Sequence, residues 1–228
     1  MSSESTHRSW DYRVIRDRLT AERLGSYLAA TADDLDRAFD LYEWNMAASA
    51  GVLTTVAMVE VVVRNALDAT LREWALRQSA PGPWFDLAPL DEHGREDMTK
   101  ARARATRYGR HPEVPGKVVA ELTFGFWRFL VGSRYHASLW VPATAAAFPN
   151  AVPDIRRRRR DVADRMQRLA FVRNRAAHHE PIHRRDLRED HAAAVELTGW
   201  VCADCAAWVA ARSPIPRLVR ERPEATAA

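Results

Sequence analysis

At 228 residues, with 47% hydrophobic and 28% charged side chains, the chain has the composition of a globular protein and not of a disordered one. It is long enough to bury roughly 70–75% of its unfolded surface in one large domain, or one domain with additions. Two cysteines exclude a disulfide framework, and the absence of a charged, apolar and small-residue leader makes a reducing cytoplasm the expected compartment.

Read in chain order, the pattern is helical. A polar start precedes Asp33 and Asp34, which can open a helix with Ala38, Leu41, Tyr42, Asn45 and Ser49 at three- and four-residue spacings. Gly51 is expected to interrupt it. Leu53, Val56, Val59, Val63, Ala66 and Leu67 then mark one face of a second long helix. The uncharged stretch from Trp44 to Val59 is too short to span a bilayer, so it reads as a buried helix and no membrane partner is expected. Turns are expected at Pro81-Gly-Pro and from Tyr108 to Gly116, with a charged helix between them. Val118, Leu122, Phe126, Phe129 and Leu130 then read as central core.

Pro142, Pro149 and Pro153 limit the next segment to a short connection with at most brief helices. Asp154 can cap a helix that turns Val162, Met166, Leu169, Ala170 and Val172 inward and that Pro181 must stop or bend. A final helix from about Asp186 to Ala211 should bury Ala193, Leu197, Trp200, Val201, Ala207 and Trp208. The resulting organisation is a flexible segment over 1–19, a helical domain over 20–212 and a flexible tail over 213–228.

Net charge is only +4, yet residues 156–188 hold twelve arginines against four acids, a local excess of +8. Such a segment fits a polyanion partner, and Arg156, Arg157, Arg158, Arg159, Arg160 and Arg175 are candidate RNA contacts. Arginine-rich composition and solvated helix faces offer a plainer account of part of the run.

Within this segment lies Phe171-Val-Arg-Asn-Arg-Ala-Ala-His-His-Glu180. Arg173 can hold phosphoryl oxygens through a rigid fork of donors, and His178 can exchange a proton near neutral pH. His179-Glu180-Pro181-Ile182-His183 spells a zinc-hydrolase pattern, but that chemistry needs both histidines on one face of a continuous helix, which Pro181 forbids. Cys202 and Cys205 lack a second pair or a strand-helix-strand context and read as helix packing. Glu60 and Arg64, four apart in an apolar helix, can pair on one face or, with Asn65, support a site.

Arg173, the polar Asn174, three further residues and His178 match the Arg-polar-x-x-x-His motif of HEPN domains, and the fuller Arg-Asn-x-x-x-His-His-Glu resembles the Abi-like (abortive infection) branch. Leu41-Tyr-Glu-Trp-Asn45, Glu60-Val-Val-Val-Arg-Asn65, Val119-Ala-Glu-Leu-Thr-Phe-Gly-Phe-Trp127 and Phe148-Pro149 extend the resemblance over about residues 20 to 210. It implies an all-α, HEPN-type helical bundle with additional helices. It also implies a homodimer and a metal-independent endoribonuclease without cofactor, of the kind used as a toxin in phage defence, with an antitoxin or a phage-derived trigger as further partners.

On that resemblance, Arg173, Asn174 and His178 are the catalytic residues, and Glu60, Arg64, Asn65 and His179 support them. The implied reaction is attack of a ribose 2′-hydroxyl on the adjacent phosphate. In a related subgroup a modified tyrosine follows the motif histidine by two residues; Glu180 stands there in this chain, so that regulation is not implied. A non-catalytic HEPN module that binds RNA or a partner protein is the alternative. Plain capping or pairing of Arg173 and His178 at a helix end is a third reading.

Overall fold

The computed structural model describes residues 9–78 and 81–224, all of whose regular structure is helical. The fold is all-α. Its axis is a single helix, Leu35–Arg77, 43 residues long. At about 1.5 Å per residue it spans roughly 65 Å. Asp34 opens it by accepting the Arg37 N–H at 3.1 Å.

The expected interruption at Gly51 is absent, because the missing side chain is what the packing there requires. A Cβ on Gly51 would lie 2.6 Å from Leu218 Cδ1 and 3.2 Å from Pro214 Cγ. A mid-helix glycine costs only about 1 kcal/mol relative to alanine, which the neighbouring packing outweighs.

Before this helix (α3) come α1, Tyr12–Leu19, and α2, Ala21–Leu28. After it come α4, Trp84–Leu87, α5, Glu92–Ala105, α6, Pro115–Glu121, and α7, Phe124–Leu130. The brief turns Ser133–Tyr135, His136–Trp140 and Thr144–Ala147 form the proline-limited connection. The chain then continues through α8, Ile155–Ala177, α9, Leu187–Val201, α10, Ala203–Arg212, and α11, Ile215–Arg220. Helices α8, α9 and α11 pack against α3, and α7 lies against both α3 and α8.

Both ends differ from the flexible segments expected. In α1, Tyr12 stacks on Phe39 with ring centroids 3.9 Å apart and donates its hydroxyl to Glu43 at 2.9 Å. In α11, Ile215 and Leu218 are buried, and the Leu218 carbonyl accepts the indole N–H of Trp44 at 2.7 Å. Residues 1–8 and 225–228 of those expected segments lie outside the described residues.

Two more expectations fail for one reason, a change of helical phase. The last long helix breaks at Cys202, where φ −159° and ψ 132° are extended, so α10 starts afresh. Val209 is therefore buried, while Ala207 and Trp208 face solvent. Likewise Leu122 and Thr123 separate α6 from α7, which leaves Phe129 47% exposed although Phe126 and Leu130 are buried.

Helix α3 is long and apolar enough to cross a membrane by length and composition. One side, including Val52, Val56, Val59, Val63 and Leu67, is buried in the bundle. The other exposes Met46, Ala50, Leu53, Ala57 and Val61 at intervals of three and four residues. Leu53, expected in the core, belongs to this second stripe.

Candidate active site

The residues of the candidate motif sit on the last turns of α8, whose limits are set by capping. Asp154 accepts the Arg157 N–H at 2.6 Å, and Val162, Met166, Leu169, Ala170 and Val172 form the buried stripe. The helix closes at Ala177, ahead of Pro181. His179 takes φ +58°, its N–H reaches the Ala176 carbonyl at 3.2 Å, and the Glu180 N–H reaches the Arg175 carbonyl at 2.8 Å. This paired closure satisfies carbonyls that the helix end would leave open.

Arg173 and Asn174 are exposed on one groove of 490 Å3, which also takes Thr123 and Phe124 from the start of α7, and Arg128 and Gln167. Arg173 Nη1 contacts Asn174 Oδ1 at 3.3 Å, a long bond that leaves most of its fork unengaged. Glu60 approaches from α3. Its half-buried carboxylate accepts the Phe124 N–H and lies in the fields of Arg173 and Arg64. Burial raises its pKa, the two cations and the N–H opposing that rise without cancelling it. Among the described residues Arg64 donates only long hydrogen bonds, to Asn65 Oδ1 and the Ala120 carbonyl, both at 3.4 Å. Glu60, Arg64, Arg173 and Asn174 are thus brought together from two helices, with Asn65 beside Arg64.

His178 does not join them. It lines a second groove of 730 Å3 with His179, Arg18, Arg23, Met46 and Leu53. Positions five apart on an α-helix differ by about 140° around its axis, which accounts for the separation within one protomer. The basic run is elsewhere again. Arg158 lies fifteen positions before Arg173, roughly 22 Å along the helix.

Much of the run is committed internally. Arg158 donates to the Val152 and Ala145 carbonyls at 2.8 and 3.3 Å, Arg159 to the Val131 carbonyl at 3.5 Å, and Arg157 pairs with Asp161 at 3.6 Å. Arg158 and Arg159 thus hold the connection before α8 while Arg157 pairs within the helix, leaving Arg156 and Arg160 as the exposed members without a described donor bond of their own. Arg175 pairs with Glu180 at 2.9 Å and donates to the Pro181 carbonyl at 2.8 Å. The local excess of charge is also smaller than the sequence window implies. Glu189, Asp190 and Glu196, just beyond it, pair with Arg168, Arg185 and Arg165.

Arg128 and Gln167 were missed from the sequence, although Arg128 as the one cation in residues 118–131 was a usable signal. Arg128 Nη1 donates to Gln167 Oε1, and its guanidinium lies 4.3 Å from the Phe129 ring centroid. Together with Arg173 it gives the groove cationic donors on two sides, an arrangement suited to a phosphodiester.

The zinc pattern is dispersed. His179 is exposed, whereas His183 is buried with its ring 4.8 Å from that of Tyr27. Among the described residues no group of three or more histidine, cysteine and acidic side chains could hold a metal ion. Comparison with models of known protein families, with characterised proteins and with solved structures finds no match to this chain.

Proposed function

We propose that the protein is a metal-independent endoribonuclease of the HEPN type, resembling the Abi-like branch and acting in a phage-defence or toxin system. The observation that carries this reading is the exposed groove holding Arg173 and Asn174 of α8, with the half-buried Glu60 of α3 behind it accepting the Phe124 N–H and lying in the fields of Arg173 and Arg64. In the proposed reaction the ribose 2′-oxygen attacks the adjacent phosphorus and the bond to the 5′-oxygen breaks. The products are a 2′,3′-cyclic phosphate and a 5′-hydroxyl. Arg173 stabilises the charge on the phosphoryl oxygens, and His178 transfers protons.

Because His178 opens on the neighbouring groove, the reading requires a second copy. The exposed α3 stripe borders the His178 groove at Met46, Ala50 and Leu53 and reaches Val61 next to Glu60. A two-fold homodimer through this stripe would bury its apolar side chains and bring both grooves of each copy to one cleft. The separation of Arg173 from His178 within a protomer favours the second reading, a non-catalytic RNA-binding module.

Incubating the purified protein with total cellular RNA, with and without EDTA, tests both. Cleavage that survives chelation, leaves cyclic phosphate ends and falls roughly a hundredfold or more in His178→Ala is the expected result. Tight binding without cleavage by wild type and variant alike would establish the second reading, and equal cleavage by both would remove His178 from the chemistry.

A further inference from the structure

Where the chain leaves α8 and enters α9, Arg184, Arg185 and Arg188 meet Arg222 around a cavity of 580 Å3 that also takes Trp44. The four guanidinium groups are not equivalent. Arg185 is held by the buried Asp190, with Nη2 to Oδ1 at 2.7 Å. Arg184, Arg188 and Arg222 are exposed, and none has a carboxylate within ion-pair distance among the described residues.

Nearby acids are occupied. Asp186 caps α9 by accepting the N–H groups of Arg188 and Glu189 at 3.0 and 3.2 Å, and Glu189 pairs with Arg168 at 2.6 Å. Glu224 is the other acidic residue among the described residues that line the cavity.

Three unpaired cations converging from two distant chain segments repel one another, and an anion between them reverses the sign of that interaction. Arg222 is braced for the role. Its guanidinium lies 5.6 Å from the Trp44 ring centroid, and Trp44 is itself fixed to the Leu218 carbonyl. The same field acts on the buried His183, where Arg184 and Arg222 add to burial in depressing the imidazole pKa. A carboxylate is satisfied by one guanidinium fork. A phosphate monoester or diphosphate presents oxygens in several directions and can engage three.

We propose that this cavity is a phosphate-binding site, separate from the Arg173 groove, that takes the terminal phosphate or diphosphate of a nucleotide or of an RNA end. The inference stands whether or not the protein cleaves RNA, because it rests on a different set of residues.

Calorimetric titration of the full chain with inorganic pyrophosphate tests it. Saturable one-to-one binding is expected, weakened at least tenfold in Arg184→Gln/Arg188→Gln, whose exposed positions spare the core, and unchanged in Arg173→Gln. No saturable binding, equal binding of succinate, or loss of binding in Arg173→Gln but not in the double variant would overturn the assignment. ADP and a 2′-O-methylated oligonucleotide, with and without a 5′-phosphate, separate the two sources without risk of cleavage. Tighter binding of ADP supports the site as one for a nucleotide. Tighter binding of the 5′-phosphorylated oligonucleotide than of its 5′-hydroxyl form supports it as one for an RNA end.

Discussion

The side-chain oxygen of Asn45 accepts the main-chain N–H of Ile182 at 2.8 Å, tying the first third of α3 to the segment that leaves α8. Both residues are buried. In Asn45→Leu the Ile182 N–H would lose its partner away from water, a loss of roughly 1–3 kcal/mol. Urea unfolding should report that destabilisation, and faster amide exchange at Ile182 should accompany it. Exchange unchanged at Ile182 would count against this bond as the anchor of the turn carrying His178 and His179.

Acid should destabilise the fold through His183. Its folded-state pKa is pushed down to about 4 from 6.5, by burial first and by Arg184 and Arg222 second. Between those values the unfolded chain binds a proton that the folded chain refuses. The stabilisation is therefore complete above about pH 6.5 and lost as pH falls towards 4, by up to about 3 kcal/mol. Burial lowers the His191 pKa too, which acts in the same direction. Unfolding free energies measured from pH 7 to 4.5 should fall less steeply in His183→Phe, which keeps an aromatic ring against Tyr27. Identical slopes would remove His183 as a cause.

At Gly51 the expected effect of substitution depends on size. Gly51→Leu would drive a branched side chain into Leu218 and Pro214, at a cost of roughly 1–3 kcal/mol of overpacking. Thermal melting should register it as a lower Tm, with early loss of protection over residues 213–220. A variant as stable as the parent would mean that α11 can retreat at no cost.

Cys202 and Cys205 should differ in reactivity. Cys202 ends α9 and caps α10, where the N–H groups of Cys205 and Asp204 and the Cys205 thiol hold its pKa down. Burial and the neighbouring Cys202 push the Cys205 thiol up. Since the thiolate is the reactive form, limited alkylation at pH 7 should label Cys202 several-fold faster than Cys205. Mass spectrometry of the peptide that carries both resolves the two positions, and equal labelling would contradict the assignment.

Local signals with strong chemistry were legible in the sequence. Asp154 announces α8, and the spacing of Val162, Met166 and Leu169 fixes its buried side, because a cap and a repeated apolar interval act within a few residues. Cys202 carries no comparable breaking signal, so the change of phase that buries Val209 and exposes Trp208 had to come from tertiary packing. Gly51 misled for the converse reason, its helix penalty being small beside the contact it permits.

At the site, Glu60 and Arg64 stood out as charges in an apolar helix, and Arg173 as the first member of the Arg-Asn-x-x-x-His motif. That Arg173 and His178 open on different grooves follows from their five-residue interval on a 3.6-residue turn. Arg128, the long-range contribution, depends on where α7 docks, and no spacing in the chain encodes that.

The link from Trp44 to Leu218 also sets an order of events during synthesis. The carbonyl that accepts this indole N–H lies 174 residues further along the chain. At about 5–20 residues per second the ribosome needs on the order of 10–30 s to make it. Throughout that interval the Gly51 notch and the Trp44 ring are uncovered on a nascent α3 that also carries the exposed Met46–Val61 stripe. The nascent chain is thus most exposed to misassembly after its axis forms and before its closing helix arrives.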